Sequence, residues 1–139
     1  MSGEDVVVRV AAAVIRRADR VLVQTRTAGR HYEGHWEFPG GKCEPDESAE
    51  TCCVRECAEE LDLDVDVVAP FGEMRWRYPQ RDVHVTFLLC RPRGAREPVA
   101  CEGQTLRWAD AADLGRLAFL PANAEVLARL VPLLRDAAH

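Results

Sequence analysis

From Val6 to Arg16 apolar, β-forming side chains dominate, and the run reads as a strand. Ala18-Asp19-Arg20 predicts a turn into a second strand, Val21 to Thr25. A polar loop, Arg26 to His35, separates these from a short extended piece, Trp36-Glu37-Phe38, that leads into Pro39-Gly40-Gly41. Ser48 then offers an N-cap, with Glu50 well placed in the first turn of a helix ending near Leu61. Asp64 to Glu73 and Val83 to Arg91 read as strands joined by a turn at Pro79-Gln80-Arg81-Asp82. Thr105 to Ala109 is another extended piece, followed by a short helical segment around Asp110 to Leu114. A last helix is expected from about Asn123 to Leu134, with Pro132 near its end as a kink. Strands interleaved with two main helices suit an α/β fold, a mixed β-sheet sandwiched between α-helices.

The helix predicted after Ser48 carries the most chemistry. Glu56, Glu59 and Glu60 stand at i, i+3, i+4, which places them within about a third of a turn on one face. Like charges so close repel unless a cation joins them. Mg²⁺ suits that demand, because it prefers carboxylate oxygens and brings phosphate ligands with it. On the neighbouring face Cys53, Val54, Cys57 and Leu61 form an apolar arc expected to pack inward.

A chain of 139 residues is expected to form one domain, 1–139, able to bury about two-thirds of its unfolded surface. The net charge of −5 argues against a phosphate-tracking surface for nucleic-acid polymers. Met1-Ser2-Gly3-Glu4-Asp5 lacks a basic segment leading into an apolar stretch, so no signal peptide is expected. No apolar run reaches membrane-spanning length, and the expected location is the cytoplasm. Six cysteines without paired C-x-x-C spacing read as small buried apolar side chains rather than disulfides or a zinc site. Monomer and dimer both remain open.

The spacing Gly41, five residues, Glu47, seven residues, Arg55-Glu56, Cys57, Ala58, Glu59-Glu60 resembles the Nudix box, G-x5-E-x7-R-E-U-x-E-E-x-G-U, where U is a bulky aliphatic. Cys57 stands at the aliphatic position and Asp62 where the pattern has Gly, a position needing positive φ. Trp36-Glu37-Phe38-Pro39-Gly40-Gly41-Lys42, Glu102-Gly103-Gln104 and Phe119-Leu120-Pro121-Ala122-Asn123 extend the likeness to the MutT subfamily of Nudix hydrolases.

The resemblance implies the Nudix fold and a Mg²⁺-dependent nucleoside triphosphate pyrophosphohydrolase, with Mn²⁺ as a possible substitute. It implies Glu56, Glu59 and Glu60 as metal ligands, a backbone carbonyl ligand at Gly40, and Glu47 just beyond them. Arg55 would orient the carboxylates, and Glu102 would serve as a ligand or general base from outside the helix. Asn123 would read the edge of an oxidised guanine, since an amide both donates and accepts; capping the last helix is the other reading. Phe38 and Leu120 would pack on the base, with Arg26 and Lys42 also near substrate. His31 and His35 are not expected to be ligands.

The leading expectation is hydrolysis of 8-oxo-dGTP to its monophosphate and pyrophosphate. A CTP or 5-methyl-dCTP pyrophosphohydrolase is the rival, ahead of ADP-ribose hydrolysis and of a non-catalytic nucleotide-sensing module.

Overall fold

The computed structural model describes residues 6–79 and 81–137. Residues 1–5, Gln80 of the expected turn, and 138–139 lie outside the described residues. Among the described residues seven strands run in chain order: β1 Val6–Arg17, β2 Arg20–Thr25, β3 Trp36–Glu37, β4 Gly40–Lys42, β5 Val65–Tyr78, β6 Arg81–Pro92 and β7 Leu106–Ala109. The helices are α1 Ala49–Leu61, α2 Ala111–Arg116 and α3 Ala124–Ala137, the last preceded by a 3₁₀ turn at Pro121–Asn123.

β1 organises the sheet. It runs parallel to β6 from Val6↔Arg81 to Ile15↔Cys90 and antiparallel to the short β4 on its other edge. Its far end turns into β2, which carries β3 and β7. β5 lies antiparallel outside β6.

Side chains of a strand alternate between faces, and β1 is apolar on both. Ala11, Ala13 and Ile15 join Cys52, Cys53, Cys57 and Leu61 of α1. Ala12 and Val14 join Phe71 and Phe87 and the Val126, Leu130 and Leu134 stripe of α3. The sheet is therefore mixed and lies between α1 on one side and α2 and α3 on the other, the architecture expected from the sequence.

Four local expectations need correction. β5 and β6 are longer than predicted, because Met74↔Val85 and Trp76↔Val83 continue the ladder and draw Arg81 and Asp82 into it. Pro70, which cannot donate to a ladder, sits where the register shifts, the usual accommodation of a strand proline. Gly40–Lys42, glycine-rich and unmarked as a strand in sequence, pairs with β1. Val54 is 37% exposed and leaves the apolar arc, and Cys52 takes its place in the core. α3 begins at Ala124 and continues through Pro132 to Ala137.

Candidate active site

α1 is capped at both ends. Ser48 Oγ accepts from the Thr51 N–H at 3.1 Å, so the expected N-cap is present. At the other end Asp62 adopts φ 50°, ψ 41°, the left-handed conformation expected where the Nudix pattern has Gly. Its N–H donates to Ala58 O at 3.1 Å, and its carboxylate pairs with Arg96 at 2.7 Å. That pairing offsets a negative charge at the end of the helix where the dipole is unfavourable to it.

Arg55 gathers the carboxylates. Nε and Nη2 donate to the two oxygens of Glu47 at 2.7 and 2.9 Å, while Nη1 donates to Glu56 at 3.2 Å and Glu59 at 3.1 Å. Nη2 also reaches the Lys42 carbonyl at 3.1 Å, tying α1 to β4. The hydrogen bonds from Arg55, with help from the Glu44 N–H, hold Glu47 down to about 2. Glu47 is thus an anchor for the arginine.

Glu60 and Glu56 sit in the opposite electrostatic condition. Burial, reinforced by the charges of Glu56 and Glu102, pushes Glu60 up to about 8, although the Gly40 N–H donates to it at 3.2 Å. Glu56 is raised too, by burial first, with Arg55 pulling it back and Glu59 and Glu102 adding to the rise. The Glu56 carboxylate lies against Gly41, where a Cβ would come within 2.2 Å of Oε2. A Cβ on Gly40 would meet the Ala11 carbonyl at 2.0 Å. Both glycines are needed for close approach. Among the described residues no three acidic, histidine or cysteine side chains already ring a common metal position. The donor set still fits a hard cation: acidic oxygens crowded together, two of the carboxyls held partly against ionisation.

Gly40, Gly41 and, of the α1 carboxylates, Glu60 line a cleft of about 660 Å³, within the range for nucleotide-sized ligands; Glu56 and Glu59 stand outside that lining. Gly40, Lys42, Glu60, Glu102, Arg26, Phe38, Leu120 and Asn123 are all in the lining. Glu59 is turned out towards solvent and Arg55. His31 and His35 pack edge-on against Tyr32 instead of joining the carboxylates. Phe38 is buried against Phe87 and Phe119, so it serves the core as well as the cleft wall.

Asn123 is 6% exposed, and its Oδ1 has no hydrogen-bond partner. It therefore does not cap α3. An unpaired buried amide oxygen costs about 1–3 kcal/mol, and here it borders the cleft, where a donor on a ligand would satisfy it.

Sequence reasoning missed Glu37, Gln24, Gln104 and Trp76. Glu37 is buried, accepts from Arg26 at 2.8 Å, and lines the cleft together with Trp76. A signal was present: a carboxylate between Trp36 and Phe38 in an extended segment must find a polar partner or water.

Fold and site together define a class of α/β protein in which a helix carries a row of carboxylates gathered on Arg55, and one of that row, Glu60, lines a nucleotide-sized cleft. The chain belongs to the Nudix hydrolase family, its residues 6–130 matching the NUDIX domain model. It is 32% identical over 123 residues to the 8-oxo-dGTP diphosphatase of Escherichia coli K12, covering 88% of this chain and 95% of that protein. A shorter match, 45% identical over 60 residues, links it to the CTP pyrophosphohydrolase of the same organism, covering 43% of this chain and 44% of that protein. The solution structure of the E. coli ORF135 protein superposes with a TM-score of 0.82 at 31% identity, covering 99% of this chain and 96% of that one.

Proposed function

We propose that this chain, acting as one domain, is a Mg²⁺-dependent nucleoside triphosphate pyrophosphohydrolase that acts on oxidised purine nucleotides, 8-oxo-dGTP above all. The observation that carries the purine reading is Asn123: a buried amide with an unpartnered oxygen, bordering the cleft. The likeness to an 8-oxo-dGTP diphosphatase along most of the chain supports it.

Glu56, Glu59, Glu60 and Glu102, with the Gly40 carbonyl, would hold the metal, and Mn²⁺ is an acceptable substitute by the same oxygen chemistry. Bound there, a divalent cation supplies charge neutralisation for the polyphosphate and acidifies a water. The protein's own contribution is positioning. Arg55 holds Glu56 and Glu59, Glu102 of the β6–β7 loop would serve as ligand or base from the cleft lining it shares with Glu60, and Lys42 and Arg26, the latter paired with Glu37, would approach phosphate or base. Water attack at the β-phosphorus yields the nucleoside monophosphate and pyrophosphate. Six free cysteines suit the cytoplasm, where thiols stay reduced.

Asn123→Ala tests the base-reading role. The expected result is loss of the preference for 8-oxo-dGTP over dGTP with turnover retained, measured as the ratio of kcat/KM values. Unchanged discrimination would remove Asn123 from base recognition. The match to a CTP pyrophosphohydrolase favours a cytidine nucleotide as the second reading, and parallel kinetics with dCTP and 5-methyl-dCTP separate the two.

A further inference from the structure

The loop bearing Glu102 is held by a directional chain of side-chain amides. The Glu102 N–H donates to Gln104 Oε1 at 2.9 Å. Gly103 between them has φ 76°, a left-handed turn that lets the Gln104 side chain fold back onto that N–H. With Oε1 committed, Gln104 Nε2 donates to the Glu60 carbonyl at 3.2 Å and to Gln24 Oε1 at 3.4 Å. Gln24 Nε2 in turn donates to Glu37 Oε2 at 3.3 Å, and the other Glu37 oxygen accepts from Arg26. A backbone N–H can only donate, and the Glu37 oxygens accept from Arg26 and Gln24, so both amides between them are held in one orientation.

Gln24, Glu37 and Gln104 are all buried, where an unpaired amide is costly and a completed network selects one arrangement. The Glu60 carbonyl also accepts from the Cys101 N–H at 3.1 Å, so the end of α1 and the Glu102 loop share one junction. Gln24 and Gln104 lie 80 residues apart in the chain, and the Gln104 amide meets Glu60 at its backbone carbonyl.

We propose that Gln104, oriented by Gln24, is a positioning residue for the reaction: it sets Glu102 against the α1 carboxylates. The inference rests on the reading of Glu102 as the outside carboxylate of a nucleotide hydrolase. Misplacing a reacting group by about 1 Å can cost on the order of a hundredfold in rate. For Gln104→Ala we expect kcat to fall by about tenfold or more, with KM little changed.

The test is a kinetic double-mutant cycle with 8-oxo-dGTP and Mg²⁺ on wild type, Gln104→Ala, Glu102→Gln and the double variant. If Gln104 acts through Glu102, its substitution costs nothing further in the Glu102→Gln background. Equal losses in both backgrounds would reduce Gln104 to packing and overturn the proposal. Gln24→Ala, which leaves the Gln104–Glu102 bond in place, should show a smaller kcat loss that also vanishes with Glu102→Gln; it keeps the test open if Gln104→Ala does not fold.

An inactive Glu102→Gln beside a fully active Gln104→Ala defeats this inference alone. A fully active Glu102→Gln defeats the reading of Glu102 and takes the inference with it. Should the wild type cleave nothing, hydrogen exchange decides independently: the Glu102 amide must exchange faster in Gln104→Ala, and unchanged exchange overturns the proposal.

Discussion

Replacing Glu60 by Gln should make the metal-free protein more stable at high pH while removing its response to Mg²⁺. Burial and the neighbouring charges of Glu56 and Glu102 carry the Glu60 carboxyl from the ordinary 4.5 to about 8. In the unfolded chain it ionises near 4.5, so between the two values the folded protein keeps a proton that the unfolded chain has released. The favourable contribution of that proton is complete below 4.5 and is lost as pH rises through about 8. A rise from 4.5 to about 8 sets a ceiling of about 5 kcal/mol. Relaxation and water penetration bring this down to a few kcal/mol. Glutamine has nothing to ionise, and its amide oxygen can still accept from the Gly40 N–H. Urea unfolding in EDTA should therefore show little difference between Glu60→Gln and wild type near pH 5, and a variant more stable by about 1–3 kcal/mol near pH 9. Millimolar Mg²⁺ should then raise the wild type and leave the variant where it was. A difference that is the same at both pH values would refute the burial argument; equal stabilisation by Mg²⁺ would remove Glu60 from the metal site.

Arg55→Ala should lower the urea midpoint of unfolding, because Glu47 loses both charged hydrogen bonds. It should also lower kcat, and Arg55→Lys should restore only part of either, having no planar fork. Gly41→Ala should fold with a similar Tm yet lose most activity, because its Cβ displaces a movable Glu56 carboxylate. Gly40→Ala should instead lower stability by about 3 kcal/mol or more, since its Cβ meets the immovable Ala11 carbonyl; equal effects at the two glycines would contradict the geometry. Asp62→Gly should raise stability by up to about 1 kcal/mol with kcat unchanged. It relieves the left-handed conformation, and the Arg96 pair it loses is exposed. A lowered Tm would mean that pair matters more than its exposure implies.

The local features of α1 were legible because each depends on nearby residues. Ser48 as cap and the left-handed Asp62 follow from residue type and position. The inward packing of Cys53, Cys57 and Leu61 follows from their helical spacing. The same reasoning placed β1 and β2 closely and misjudged β5 and β6, whose extension past Glu73 depends on cross-strand partners. It missed β4 because glycines argue against a strand, while the pairing with β1 requires them. In the candidate site, the spacing of the Nudix box was legible, and Arg55 bonds Glu47, Glu56 and Glu59 within it. The Gln24–Glu37–Gln104 chain was not, since its members are far apart in sequence and meet only when β2, β3 and the Glu102 loop come together. Asn123 carried two readings in sequence, base reading and helix capping; its Oδ1 has no hydrogen-bond partner, so the side-chain cap is not made.

The most direct measurement is to incubate the purified protein with Mg²⁺ and a panel of dGTP, 8-oxo-dGTP, dCTP, 5-methyl-dCTP and ADP-ribose, resolving the products by chromatography. The account predicts preferential conversion of 8-oxo-dGTP to 8-oxo-dGMP and pyrophosphate, abolished by EDTA. Preference for the cytidine nucleotides would contradict the purine reading while keeping the carboxylate chemistry, and no cleavage of any of them would contradict the account as a whole.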